Sequence, residues 1–174
     1  MAVDLTLKST AITNREASPR VANNPGAGAS GVVRTVYGYI ASVTASLSVT
    51  SVIRLVEVPS NAIVQSVKIS SGAQTAGKFN IGVYRKNGDG GLVAFTNADS
   101  FFTTDLDCAA AVNETECVQL ATTGNTAVKR NQPLWQAIGM AADPKTGLDI
   151  CATVHTTAVT TGTGSLSATV QYTV

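Results

Sequence analysis

His155 is the single histidine of this 174-residue chain, so acid–base chemistry near neutral pH would have to run through it. A general base needs a carboxylate to orient it and a nucleophile within reach, and neither stands beside it in sequence. In the alternating run Ile150, Ala152, Val154, it falls on the opposite face with Cys151 and Thr153. It reads as an ordinary strand-face histidine. Asp105 and Asp107 lie two apart, as do Glu114 and Glu116, so each pair would share a face in extended chain. Paired carboxylates can hydrolyse glycosides, but only in a groove that usually carries aromatic platforms. Aromatic residues make up only 5% of the chain, and most sit in patterns that place them on core faces. The carboxylates therefore read as solvated loop residues.

Cys108, Cys117 and Cys151 are odd in number and show no CxxC spacing, which points to buried free thiols rather than a disulfide framework or a zinc site. A Cys108–Cys117 bridge would need an oxidising compartment. The run Asn87-Gly88-Asp89-Gly90-Gly91 lacks the spaced acidic ligands and closing glutamate of a calcium loop, and reads as a hairpin turn. The glycines of GAGASG at 26–31 follow no strand pattern and open no helix, so they make no phosphate cradle. Trp135 falls in the turn Pro133-Leu134-Trp135, where core packing is expected. No catalytic, cofactor or metal set emerges, so a non-enzymatic chain without a cofactor is expected.

The elements that would position these side chains are strands. Leu166, Ala168, Val170, Tyr172 and Val174 alternate with polar residues, as do Phe79, Ile81 and Val83. Ile63, Val67 and Ile69 share a face on which Gln65 is the odd member. Further strands are expected at 32–44, 50–58, 92–95, 116–120 and 148–156, separated by turn chemistry at Pro59-Ser60-Asn61, at 72–77, at 87–91 and at 162–164. Roughly eight strands, each with one apolar face, must stack as a sandwich or close into a barrel to bury them. Two short helical turns are expected to plug the ends. Asn131 would cap one near Pro133, with Leu134 and Ile138 inward, and Asn97 the other, with Phe101 and Phe102 inward.

Residues 1–31 differ from the rest. Val3, Leu5 and Leu7 alternate with polar residues as a short strand, and then a stretch rich in Asn, Pro, Gly and Ala has no apolar period. Such a stretch cannot offset its own ordering entropy, so an arm at 1–31 and a β domain at 32–174 are expected. Hydrophobic residues reach 44% while charged residues are only 13%, about half the usual share. Ser, Thr, Gly and Ala fill the difference. A surface of hydroxyls desolvates more cheaply than an ionic one, which suits a protein packed against neighbours. The net charge of +1 builds no field for nucleic acid, and no stretch is long enough to span a bilayer. With no secretory pattern at its start, the chain is expected to be made in a reducing cytoplasm.

Four phrases carry a family resemblance: ITNREASPRV at 12–21, RLVEVPSNAIVQSVKISSGAQTAGKFNIGVYR at 54–85, PLWQAIGMAADPKTGLDICATV at 133–154, and TGTGSLSATVQYTV at 161–174. In this order they resemble the head decoration (cement) proteins of short-tailed bacteriophages, over nearly the whole chain. The resemblance implies a jelly-roll-like antiparallel β-sandwich on the outer surface of the virion. It also implies a homo-oligomer, a dimer or trimer on a capsid symmetry axis, that staples adjacent major capsid proteins. Val3, Leu5 and Leu7 could add a strand to a neighbour's sheet, and Arg15, Arg20 and Arg34 could pair with capsid carboxylates. The alternative is a fibre, spike or carbohydrate-binding β-sandwich that recognises a host surface.

Overall fold

The computed structural model describes residues 32–43, 47–74, 77–85, 101–118, 129–156 and 164–174, together with Pro19 and Val159. The arm at 1–31 apart from Pro19, the expected strand at 92–95, the turn at 87–91 and the Asn97 cap lie outside these residues. Eight strands are formed: β1 (Arg34–Ile40), β2 (Val52–Pro59), β3 (Ile63–Ser71), β4 (Lys78–Arg85), β5 (Thr103–Asp107), β6 (Val112–Glu116), β7 (Gly147–Val154) and β8 (Leu166–Thr173). They make two four-stranded sheets, ordered β1-β8-β3-β6 and β2-β7-β4-β5, with every pair antiparallel. β1 lies beside β8, β2 beside β7, β3 beside β6 and β4 beside β5, as if one long hairpin had been rolled over a core. That is jelly-roll topology.

Alternation in the strands builds the core. Phe79, Ile81 and Val83 of β4 and Leu148, Ile150, Ala152 and Val154 of β7 face inward, all essentially inaccessible to solvent. Val67 and Ile69 of β3 and Leu166, Ala168 and Val170 of β8 close the cluster from the other sheet. Phe101 and Phe102 are buried as expected, packed edge to face at 5.1 Å. The odd polar member of the β3 face is explained by a break in register. The pairing of β3 with β8 shifts between Val64 and Ser66, and Gln65 takes the exposed bulge position.

The sequence reading needs correction at several points. The strand expected from Glu116 lies before it, at Val112–Glu116, because pairing to β3 selects the segment whose polar side chains may face solvent. β5 had no apolar signal and was expected as loop. Its carboxylates, like those of β6, stand in short edge strands and not in solvated loops. Asn131 ends a 3-10 turn, Lys129–Asn131, and caps nothing. The helical turn α1 (Leu134–Ala137) starts after Pro133, which stands at its N-cap in extended backbone (φ −53°, ψ 144°) with no side-chain cap. It docks by backbone bonds from Leu134 to Ala62 (2.8 Å) and from Trp135 to Ser60 (3.0 Å), burying Leu134 and Ala137. Trp135 is only half-buried on its outer side.

Candidate docking surface

The two sheets treat their outer faces differently. On the second sheet Asn80, Tyr84, Asp149 and Thr153 point away from the core yet are buried. The Tyr84 and Thr153 hydroxyls hydrogen-bond at 2.7 Å, and Arg54 donates to Asp149 at 2.7 Å. On the first sheet the outer face is open. Register places Tyr39, Ser167 and Ser70 in one row across it, then Tyr37, Thr169, Lys68 and Glu116, then Thr35, Gln171 and Ser66. It is a surface of hydroxyls with one small ionic corner, where Lys68 meets Glu114 at 3.4 Å.

Tyr37 and Tyr39 are 62% and 58% exposed, and their rings stack at 6.4 Å with planes 11° apart. These two are exceptions to the expectation that most of the aromatics sit on core faces. Each face of β1 mixes polar and apolar residues, Val33, Thr35, Tyr37 and Tyr39 on one and Arg34, Val36, Gly38 and Ile40 on the other, so periodicity does not choose between them. Gly38 decides it. A Cβ there would lie 2.0 Å from the Leu55 carbonyl oxygen, so β1 crosses directly against the β2 backbone at this point. Only the glycine face can turn inward.

Among the described residues four strands lie at sheet edges, and three of them are guarded against further pairing. β2 carries a bulge between Arg54 and Val56 and ends at Pro59. β5 and β6 are five residues each, and each holds a bulge residue in left-handed backbone, Asp105 (φ 50°) and Glu114 (φ 46°). In both bulges the opposing strand satisfies the freed amide. Asp105 N–H donates to Asn80 Oδ1 at 3.0 Å, and Glu114 N–H donates to Ser70 Oγ at 2.8 Å. β1 has no such device: its seven residues hold unbroken register with β8, and Arg34 is its one charge.

Arg34 stands exposed at the start of this edge, opposite Tyr172. Val3, Leu5, Leu7, Arg15 and Arg20 lie outside the described residues.

His155 lies one residue past the end of β7 and is not alone. Its Nδ1 is 2.7 Å from Asp105 Oδ1, and the Thr156 hydroxyl donates to the same oxygen at 2.8 Å. The carboxylate that sequence could not supply comes from the β5 bulge, fifty residues away. The Thr156 hydroxyl is turned to Asp105 and lies 3.2 Å from Nδ1, on the carboxylate side of the ring. The group thus pins the β5 edge to the end of β7. Hydrogen bonds from His155 and then Thr156 hold the Asp105 carboxyl below its ordinary range. A group depressed in the folded state stabilises above its unfolded value and loses that contribution as pH falls through its folded value. The wild type should exceed Asp105→Asn by up to about 1 kcal/mol at neutral pH, the range of exposed pairs. Urea melts at descending pH should show this margin shrinking below the usual carboxylate range; a constant margin would mean the charge contributes nothing.

An open groove of about 480 Å³ runs between the β2–β3 turn and the loop before β7, lined by Glu57, Ser60, Asn61, Asp143, Lys145 and Thr146 among others. Asp143 accepts bonds from the Ser60 hydroxyl and the Lys145 N–H, which hold its carboxyl below the ordinary range. The three cysteines are buried free thiols, as expected. Burial pushes Cys108 up to about 11 and Cys117 and Cys151 up to about 12. Among the described residues no group of three or more His, Cys, Asp or Glu is placed to hold a metal ion.

No protein-family model matches the chain, and no curated protein matches it. Among solved structures it is similar to a chain described as the cyanophage Pam1 capsid asymmetric unit. The two are 18% identical, the match covers 91% of this chain and 96% of that one, and the TM-score is 0.42.

Proposed function

We propose that this protein is a structural decoration protein that binds the outside of a bacteriophage head and staples neighbouring major capsid proteins, with no catalytic role. The order of the four sequence phrases supports the reading, and the jelly-roll sandwich is the fold that the resemblance implies. The observation that carries it is the unguarded β1 edge beside a face made mostly of hydroxyls. Soluble monomers blunt such edges, whereas a protein that ends up packed on a lattice can leave one open. The arm at 1–31 leads directly into this edge, so Val3, Leu5, Leu7, Arg15, Arg20 and Arg34 remain the proposed contacts with the shell. Many copies on one lattice would multiply a modest individual affinity.

Purified protein is expected to bind expanded heads of its own phage and to raise the temperature at which they release DNA. A protein lacking residues 1–31 should bind less while its urea midpoint stays near that of the full chain. Absence of binding by the full chain defeats the proposal. A second reading, recognition of a host glycan, is favoured by the exposed pair Tyr37 and Tyr39, since sugar rings stack on exposed aromatic faces. Retention on a glycan array together with failure to bind heads would select it.

A further inference from the structure

We infer that the outer face of β4 and β7 is the docking surface for residues 86–100, the connection from β4 to β5, so that this side of the sandwich is occupied by the chain itself. The inference stands apart from the decoration reading. Its basis is a face that points away from the core and yet meets almost no water. Asp149, Asn80, Tyr84 and Thr153 are 2%, 3%, 5% and 7% exposed, and Cys151, opposite Gly82, is 0% exposed.

The two strands cannot shield this face by themselves. Register sets Tyr84 opposite Asp149 and Thr153 opposite Asn80, four residues along β4. The Tyr84 and Thr153 hydroxyls are nevertheless 2.7 Å apart, so the ring lies along the sheet over Gly82. The sheet shields such a ring on one side only, and near-complete burial requires atoms against the other. Among the described elements none supplies them. The first sheet lies across the core, α1 docks on Ser60 and Ala62, and the 3-10 turn lies against β3.

Chain connectivity selects the occupant. β4 ends at Arg85 on this face, and the chain re-enters beside Ile81, where Phe102 N–H donates to the Ile81 carbonyl at 2.9 Å and Thr103 pairs with Ile81. The return covers four residues of strand, about 13 Å. The fifteen residues between Arg85 and Phe101 can span about 50 Å, far more than a hairpin needs. The arm at 1–31 joins at Val32 beside β1, the strand that crosses β2 at Gly38. It would have to pass over β2, where the Arg54 side chain keeps 41% of its surface in water. The chemistry agrees with the shorter route. Arg54 donates to Asp149, and Tyr84 bonds Thr153, so the face has its polar groups satisfied and takes an apolar layer at little desolvation cost. Leu92, Val93 and Phe95 supply one.

The test is nitration of tyrosines in the full-length protein by tetranitromethane, read peptide by peptide in a mass spectrometer. Tyr37 and Tyr39, 62% and 58% exposed, are the internal references. In wild type Tyr84 should react at least tenfold more slowly than they do. Replacing residues 87–98 by a six-residue Gly-Ser linker should bring Tyr84 to within about threefold of Tyr39, whereas deletion of residues 1–31 should leave it protected. The buried thiols Cys108 and Cys117 report the fold, since they stay unreactive towards a disulfide reagent while the core is intact. If the shortened chain exposes them, Leu92→Ser/Phe95→Ser decides, and it should raise Tyr84 nitration severalfold at unchanged thiol reactivity. Tyr84 reactive in wild type overturns the inference, as does protection that persists in a folded shortened chain or in the double variant. Exposure of Tyr84 by loss of the arm would assign the face to residues 1–31 and overturn it equally.

Discussion

Phe79→Ala is expected to lower the unfolding free energy by about 3–5 kcal/mol, the largest effect of any single side chain here. Phe79 has no solvent exposure, and β4, an inner strand of the second sheet, holds it against β7, opposite Val154. Its ring also approaches Gly77 closely, since a Cβ at that glycine would lie 3.3 Å from the ring. Removing the ring leaves a cavity lined by strands that hydrogen-bond on both sides and cannot collapse into it, so little of the cost is recovered by relaxation. The loss is a large fraction of the roughly 5–15 kcal/mol that holds a domain together. Urea denaturation should report it as a lower midpoint at unchanged slope. A shift under 1 kcal/mol would mean that the ring is not packed as described.

Gly38→Val is expected to cost about 1–3 kcal/mol, at the upper end of that range, although the glycine lies on an edge strand and only partly out of water. The added Cβ meets the Leu55 carbonyl oxygen at 2.0 Å and the Val56 side chain at 2.7 Å. Since the first obstacle is backbone, no rotamer change relieves it, and β1 must lift away from β2. That opens the seam between the two sheets and tilts the tyrosine surface. Gly139→Ala supplies the contrast. No atom lies within 4 Å of a Cβ there, but the backbone is left-handed at φ 84°. Its cost should be about 1 kcal/mol, from backbone conformation alone. Comparing the two melts separates lack of space from lack of conformational freedom. Equal shifts would contradict the close crossing at Gly38.

How much of the candidate surface was legible in advance depended on the strand. In β8 one face is wholly apolar and the other wholly polar as far as Gln171, so its direction could be read from the residues. In β1 both faces mix polar and apolar residues, and the decision came from a contact with Leu55 that sequence does not contain. β5 and β6 were harder still. Their residues are short of apolar side chains, and their strand character comes from pairing with β4 and β3. The Asp105–His155 contact joins β5 to the residue after β7, and only the pairing of β4 with both strands brings the two together.

By itself, then, the sequence determined the class of the fold: period-two apolar alternation leaves strands no option but to stack their faces. It also determined that buried thiols and scattered carboxylates would carry the few reactive groups. The tertiary structure decided which strand neighbours which, where the bulges fall, and which of two apolar faces of β1 meets water. Those outcomes depend on pairing and close approach between segments far apart in the chain. Local periodicity has no term for either.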